Sequence, residues 1–217
     1  MQEKAIQILK NSQTRNRPQS INQIHEAKED TITLDIRRTF QNHEYFKREK
    51  SQKEIEKVIR NLLLKVGKGY VQGMNFWISS LYFHCSSRPL CDKLVSFIYR
   101  NLELEEVYKF KYASHVEVFS KLLKLYLLEV SELIVHCKID IDIIMLDYLF
   151  TLCLNKVPLE HTAEMLEGLI KHGWFFFYRL IIVLFRGIFQ SNASMIREKN
   201  MDKKFEFLCL IKSYGKD

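Results

Sequence analysis

The chain has 217 residues, 47% of them apolar and 27% charged, which fits one compact soluble domain. That apolar content excludes disorder along the whole length, and seven glycines with three prolines are too few for a turn-rich β architecture. Thirty-three basic residues stand against 26 acidic ones, a net +7. The cations are interleaved with acids, as in the run Lys47 to Lys57 with Glu49, Glu54 and Glu56, so a solvated helix face is expected there and no nucleic-acid partner. The basic surplus suits approach to acidic membranes or acidic partners.

Residues 1–12 are predicted as a short amphipathic helix with Ile6, Ile8 and Leu9 inward, and 13–28, with Pro18, as a loop. Apolar residues return in a short mixed segment, Ile32 to Phe40. Ser51 to Val66 is the clearest helix. Ser51 with Glu54 reads as a capping box, Ile55, Val58, Ile59, Leu62, Leu63 and Val66 recur at helical spacing, and Gly67 is placed to end it. A glycine-rich turn, Gly67 to Gly73, precedes a buried helix from Met74 to Cys85. Pro89 opens the next helix, continued by Leu94, Phe97, Ile98 and Leu102. Further helices are predicted over Val116 to Leu128, Asp140 to Asn155 and Pro158 to Ile170. His172-Gly173 stops the last of these, Trp174 to Phe189 follows as the most buried helix, and residues 192–212 form a final polar one. No stretch alternates with period two. The expectation is a single all-α domain over residues 1–217 with about nine helices.

Several chemistries are disfavoured. The five cysteines (Cys85, Cys91, Cys137, Cys153, Cys209) are odd in number and form no Cys-x-x-Cys pair, as expected of buried thiols in a reducing compartment. No apolar leader follows Met1, and Arg179 and Arg186 interrupt the apolar run Trp174 to Phe189, which is short of the ~20 residues a membrane helix needs. A cytoplasmic protein without a transmembrane segment is expected. The histidines form no His-x-x-x-His pair, and His84, Cys85 and Cys91 have no second cluster to complete a tetrahedron, so no metal site is expected. There is no Gly-x-Ser-x-Gly. Gly67, Gly69 and Gly73 do not make a dinucleotide fingerprint, because Gln72 stands three after Gly69, and no P-loop is present. No cofactor of the chain's own is expected.

Two segments remain, Ile32-Thr-Leu-Asp35-Ile-Arg-Arg38-Thr-Phe40 and Gly69-Tyr70-Val-Gln72-Gly73-Met74-Asn75. The first resembles the Ile-x-x-Asp-x-x-Arg motif, and the second the Tyr-x-Gln motif, of the TBC domain, the catalytic module of GTPase-activating proteins for Rab-type small GTPases. Leu149 to Glu160 resembles that family's helix ending in a Leu-Pro-Leu-type turn, and Glu167 to Trp174 the next helix with its glycine-aromatic stop.

The resemblance implies an all-helical fold and a mechanism. Arg38 would be an arginine finger on a Rab-type partner, and Gln72 a second finger that positions water in place of the GTPase's own glutamine. GTP and Mg²⁺ would belong to the partner. Tyr70 would brace the turn carrying Gln72. By the resemblance Asp35, three residues before Arg38, could hold its guanidinium, although spacing alone favours an ordinary surface pair. Gly69 and Gly73 would let the backbone approach the partner, and Asn75 completes the motif. Association with endomembranes would follow through the partner.

The chain also departs from the pattern. No Arg-x-x-x-Trp-like segment precedes Ile32, Gln41 stands where the family often has proline, and Tyr148 where it often has tryptophan. The expectation is therefore a domain shortened by its first helix or two, with a second reading open: a degenerate TBC-like module that binds Rab or another trafficking protein without accelerating hydrolysis.

Overall fold

A computed structural model of the chain describes residues 31–192 and residue 211. Residues 31–38 are helical (α1). There follow α2 (Glu44–Lys47), α3 (Glu49–Val66), α4 (Met74–His84), α5 (Arg88–Asn101), α6 (Leu104–Tyr108), α7 (Ala113–Tyr126), α8 (Leu128–His136) and α9 (Ile141–Thr151). Two 3₁₀ turns, Leu154–Lys156 and Leu159–His161, lead into α10 (Thr162–Ser191). No strand occurs among the described residues, so the fold is all-α. The helices expected over 1–12 and 192–212, and the loop over 13–28, lie outside the described residues, Ile211 apart.

The central helix is α4. Met74, Trp77, Ile78 and Leu81 are buried, and α3, α5, α9 and α10 all pack on it. This corrects the expectation that Trp174 to Phe189 is the most buried segment. There Phe177, Ile181, Phe185 and Ile188 face the core, while Phe175 and Val183 are 67% and 62% exposed. An almost continuously apolar run hides its own amphipathicity, because periodicity cannot say which face the core takes.

The run Leu159–Ser191 is long and apolar enough to cross a membrane by length and composition. Gly173 breaks it, at φ 55° and ψ −137°, a backbone that essentially only glycine adopts. The break expected at His172-Gly173 is therefore present. Close packing accompanies it: a Cβ on Gly168 would lie 2.4 Å from the Phe176 ring.

Helix α3 shows what local chemistry can and cannot set. Its buried stripe is Ile55, Val58, Ile59 and Leu62, and Gly67 ends it in the left-handed region, donating its N–H to the Leu63 carbonyl at 2.9 Å. The expected Ser51/Glu54 capping box does not form. The helix begins at Glu49, Ser51 is buried in its first turn, and Glu54 binds Lys57 and Arg88 instead. The reason is tertiary: α2 buries Phe46 just before, and Gln52 Nε2 donates to the Phe46 carbonyl at 2.7 Å, which fixes an earlier start.

Beyond α5 the expected segments shift. The helix predicted over 116–128 runs from Ala113 to Tyr126, and a non-helical Leu127 (φ −143°, ψ 56°) separates it from the unforeseen α8. The helix predicted to Asn155 stops at Thr151, because Leu152 and Cys153 are both left-handed, at φ 51° and 64°. Asp147, costly in an apolar helix unless paired, binds the fully buried Lys156 ammonium at 2.7 Å and accepts from Asn155 Nδ2 at 3.0 Å. Tyr148 is buried and donates its hydroxyl to the Ile211 carbonyl at 3.2 Å.

Candidate functional site

The two motif segments meet at the N-terminus of α4. Arg38 is the last residue of α1 and is exposed, as is Arg37. Thr39, fully buried, ends the helix: its hydroxyl donates to the Asp35 carbonyl at 2.7 Å and its N–H to the Ile36 carbonyl at 3.1 Å. Phe40 then turns left-handed (φ 45°) and sets its ring against Phe46 and Phe76, at 5.2 and 5.7 Å between centroids. The backbone that carries Arg38 is thus held on both sides.

The second segment is the turn from Gly67 to Gly73. Asn75 fastens it to α1. Its Oδ1 accepts the Gly73 N–H at 3.0 Å and lies 3.0 Å from the Tyr70 hydroxyl. Its Nδ2 donates to Thr39 Oγ1 at 2.7 Å and lies 3.4 Å from the Asp35 carbonyl. The Tyr70 hydroxyl donates to Asp35 Oδ2 at 2.9 Å. Burial, then the neighbouring Asp35 carboxylate, push the Tyr70 pKa far above its ordinary value, so the hydroxyl remains a donor at any physiological pH. Gln72 sits between these anchors and is exposed.

Below the turn lies α9. A Cβ on Gly73 (φ 110°) would come within 2.9 Å of Phe150 Cβ and 3.0 Å of the Phe150 carbonyl. That carbonyl accepts from the Tyr108 hydroxyl at 3.2 Å, and Trp77 Nε1 donates to Tyr108 Oη at 3.0 Å. On the solvent side, Lys68 pairs with Glu105 of α6 at 3.3 Å.

Two expectations change. Asp35 does not hold the Arg38 guanidinium: the residue is 94% buried with its carboxylate bound to Tyr70, while the Arg38 side chain forms no hydrogen bond or ion pair among the described residues. Three residues along a helix is 300° of turn, enough here to point one side chain inward and the other out. Gly73 is likewise buried, and its missing side chain makes room for Phe150 rather than for a partner; Gly69 is exposed. Sequence reasoning placed Thr39 in the motif without a role, and missed Phe150 and Tyr108. For Thr39 a signal existed, since a hydroxyl residue just after a helix end has backbone groups to satisfy. For Phe150, 77 residues after Gly73 in sequence, none did.

Among the described residues no three His, Cys, Asp or Glu side chains converge as a metal site would require. Cys85, Cys91, Cys137 and Cys153 are free thiols, and burial pushes Cys91 and Cys153 well above the ordinary thiol value, so neither is an activated nucleophile. What the described residues present instead is an exposed Arg38 and an exposed Gln72 on two backbone segments joined through one buried asparagine. Over 151 residues, 67% of this chain, the sequence is 28% identical to the Rab GTPase-activating protein tbc-11 of Caenorhabditis elegans, of whose length the match covers 16%. The Rab-GTPase-TBC domain model matches residues 2–192, which include both motif segments and every helix from α1 to α10, and the chain belongs to that family.

Proposed function

We propose that this domain accelerates GTP hydrolysis on a Rab-type GTPase, with Arg38 and Gln72 inserted into the partner's site in trans. The observation that carries this reading is the contrast between the two side chains and their supports. Arg38 and Gln72 are exposed and make no hydrogen bond or ion pair among the described residues, while Thr39, Tyr70, Gly73 and Asn75 around them are tied together. A free guanidinium on a fixed backbone can meet the charge that builds on the phosphate oxygens with little reorganisation. Its planar fork suits two such oxygens, and it stays protonated throughout. The carboxamide of Gln72 offers both a donor and an acceptor, which is what orienting an attacking water requires.

Asp35 is a positioning residue in this scheme. It holds Tyr70, and Tyr70 holds the turn. GTP and Mg²⁺ come with the partner, and the chain reaches endomembranes in the cytoplasm through that partner. The relative's name, a Rab GTPase-activating protein, supports the partner class.

The test is single-turnover GTP hydrolysis on a panel of Rab GTPases, with wild type beside Arg38→Ala. An arginine finger contributes on the order of 10³–10⁵ in rate, so stimulation of a responsive Rab should vanish in the variant. Folded wild-type protein that binds a GTP-loaded Rab without accelerating its hydrolysis would establish the degenerate binding module instead.

A further inference from the structure

Four aromatic side chains are substantially exposed among the described residues: Phe97, Phe110, Tyr126 and Phe175. Phe97 lies in an open groove of about 610 Å³ with Lys65, Lys93 and Arg100, and Phe175 packs against the Arg179 guanidinium. Phe110 differs from all of them in its place and in its backbone. Its ring rests on Phe150 at 5.8 Å between centroids, edge to face, and Phe150 is the residue on which Gly73 is seated. Phe110 therefore stands one side chain away from the turn that presents Gln72.

The segment carrying it is joined to that turn at two further points. Lys68, within the turn, pairs with Glu105 of α6. The Tyr108 hydroxyl, at the end of α6, donates to the Phe150 carbonyl. Helix α6 closes in a Schellman motif: the Lys111 N–H reaches the Glu106 carbonyl and the Phe110 N–H the Val107 carbonyl, both at 3.0 Å. The position in the left-handed region is usually glycine. Here it is Phe110, at φ 62° and 65% exposed. A large apolar ring at this position carries backbone strain, and although Phe150 and Tyr112 flank it, most of its surface stays open to solvent. Its neighbours Lys109 and Lys111 are engaged with Glu105 and Glu106, so the local surface around the ring is close to neutral.

We propose that Phe110 is a docking residue for the GTPase, its ring buried against the partner beside Gln72 when the complex forms. This rests on the reading that Gln72 enters the partner's site. An aromatic side chain with two rotatable bonds gives large contact area at low entropic loss, and such residues dominate interface energetics when they become fully desolvated. Phe110 does not touch the reacting atoms, so its contribution is to affinity.

The experiment measures kcat and KM for stimulated hydrolysis on the Rab that responds to wild type, together with titration binding to the same Rab loaded with a non-hydrolysable GTP analogue. Phe110→Ala and Phe110→Gly are compared with Phe175→Ala. Both Phe110 variants should raise KM and the dissociation constant about tenfold or more while kcat stays within about twofold, and Phe175→Ala should change neither. Phe110→Gly should also keep or raise the urea midpoint, since glycine relieves the left-handed backbone; this separates lost docking from lost folding. Wild-type KM and affinity in both Phe110 variants would overturn the docking role and leave the catalytic reading intact. Absence of both stimulation and Rab binding by folded wild type would overturn the catalytic reading and this inference with it.

Discussion

Tyr70→Phe removes one oxygen and keeps the ring. In the structure that oxygen is the donor to Asp35 Oδ2 at 2.9 Å, and no other hydrogen-bond donor reaches this carboxylate among the described residues. Hydrogen bonds to charged groups contribute about 1.5–3 kcal/mol, and a buried acceptor left without its donor falls at the upper part of that range. Asn75 Oδ1 keeps the Gly73 N–H, so the damage is confined to one link. The expected loss is about 2 kcal/mol, or roughly 4–8 °C in Tm for a domain of this size. Urea titration followed by circular dichroism reads the loss, and a cycle with Asp35→Ala isolates the pair. Stimulated kcat should fall by about ten- to a hundredfold, because a loosened turn leaves Gln72 misplaced rather than absent. A stability change under ~0.5 kcal/mol, or two substitutions that simply add, would refute the argument that this hydroxyl ties the turn to α1.

Gly73→Ala and Gly67→Ala should separate, although both glycines are left-handed. Gly67 has nothing within 4 Å of a built Cβ, so its alanine should cost only the backbone term, ~1 kcal/mol; Gly73 adds a 2.9 Å approach to Phe150, and its alanine should cost about 2–4 kcal/mol by urea denaturation. His115 lies 2.7 Å through Nδ1 from the Tyr178 hydroxyl and 4.3 Å from the Trp174 ring, and burial lowers its pKa below 6.5. The unfolded chain then binds a proton before the folded one does, so this contribution to stability is present above about pH 6.5 and is lost as pH falls through the lower folded value. Denaturation midpoints across pH 7.5–5 should show that decline, and it should be smaller in His115→Gln. Arg38→Lys should not restore stimulated hydrolysis, because an ammonium lacks the planar fork, and it should leave the urea midpoint unchanged; full activity would remove the finger role.

Local chemistry made much of this fold legible. The stripe on α3 with its Gly67 stop, the Pro89 start of α5 and the break at Gly173 each follow from a side chain acting on its own backbone, and each stands where the sequence puts it. The departures share a different cause. Ser51 is a sound capping residue, but Phe46 and Gln52 fix the start of α3 by contacts that no short window contains. Leu152 and Cys153 end α9 in the left-handed region, where neither residue type gives a signal, because the buried 3₁₀ turn after them and the pair Asp147–Lys156 set that geometry. The site divides the same way. Arg38 and Gln72 were readable from two short motifs, and both prove exposed. The partner of Asp35 was not, since Arg38, three residues along, competes on paper with a tyrosine 35 residues away that only the fold brings to it. Asn75 read as one more motif letter, yet its four contacts join the two segments.

The account stands on Gln72 doing work that a Rab would otherwise do with its own glutamine. The most direct test is single-turnover hydrolysis on a responsive Rab in which that glutamine is replaced by alanine, with wild type, Gln72→Ala and Arg38→Ala added in turn. The account predicts that wild type still accelerates the altered Rab, while both variants lose stimulation by about two orders of magnitude or more without loss of folding. Equal stimulation by wild type and Gln72→Ala, or loss of stimulation when only the Rab glutamine is removed, would contradict it.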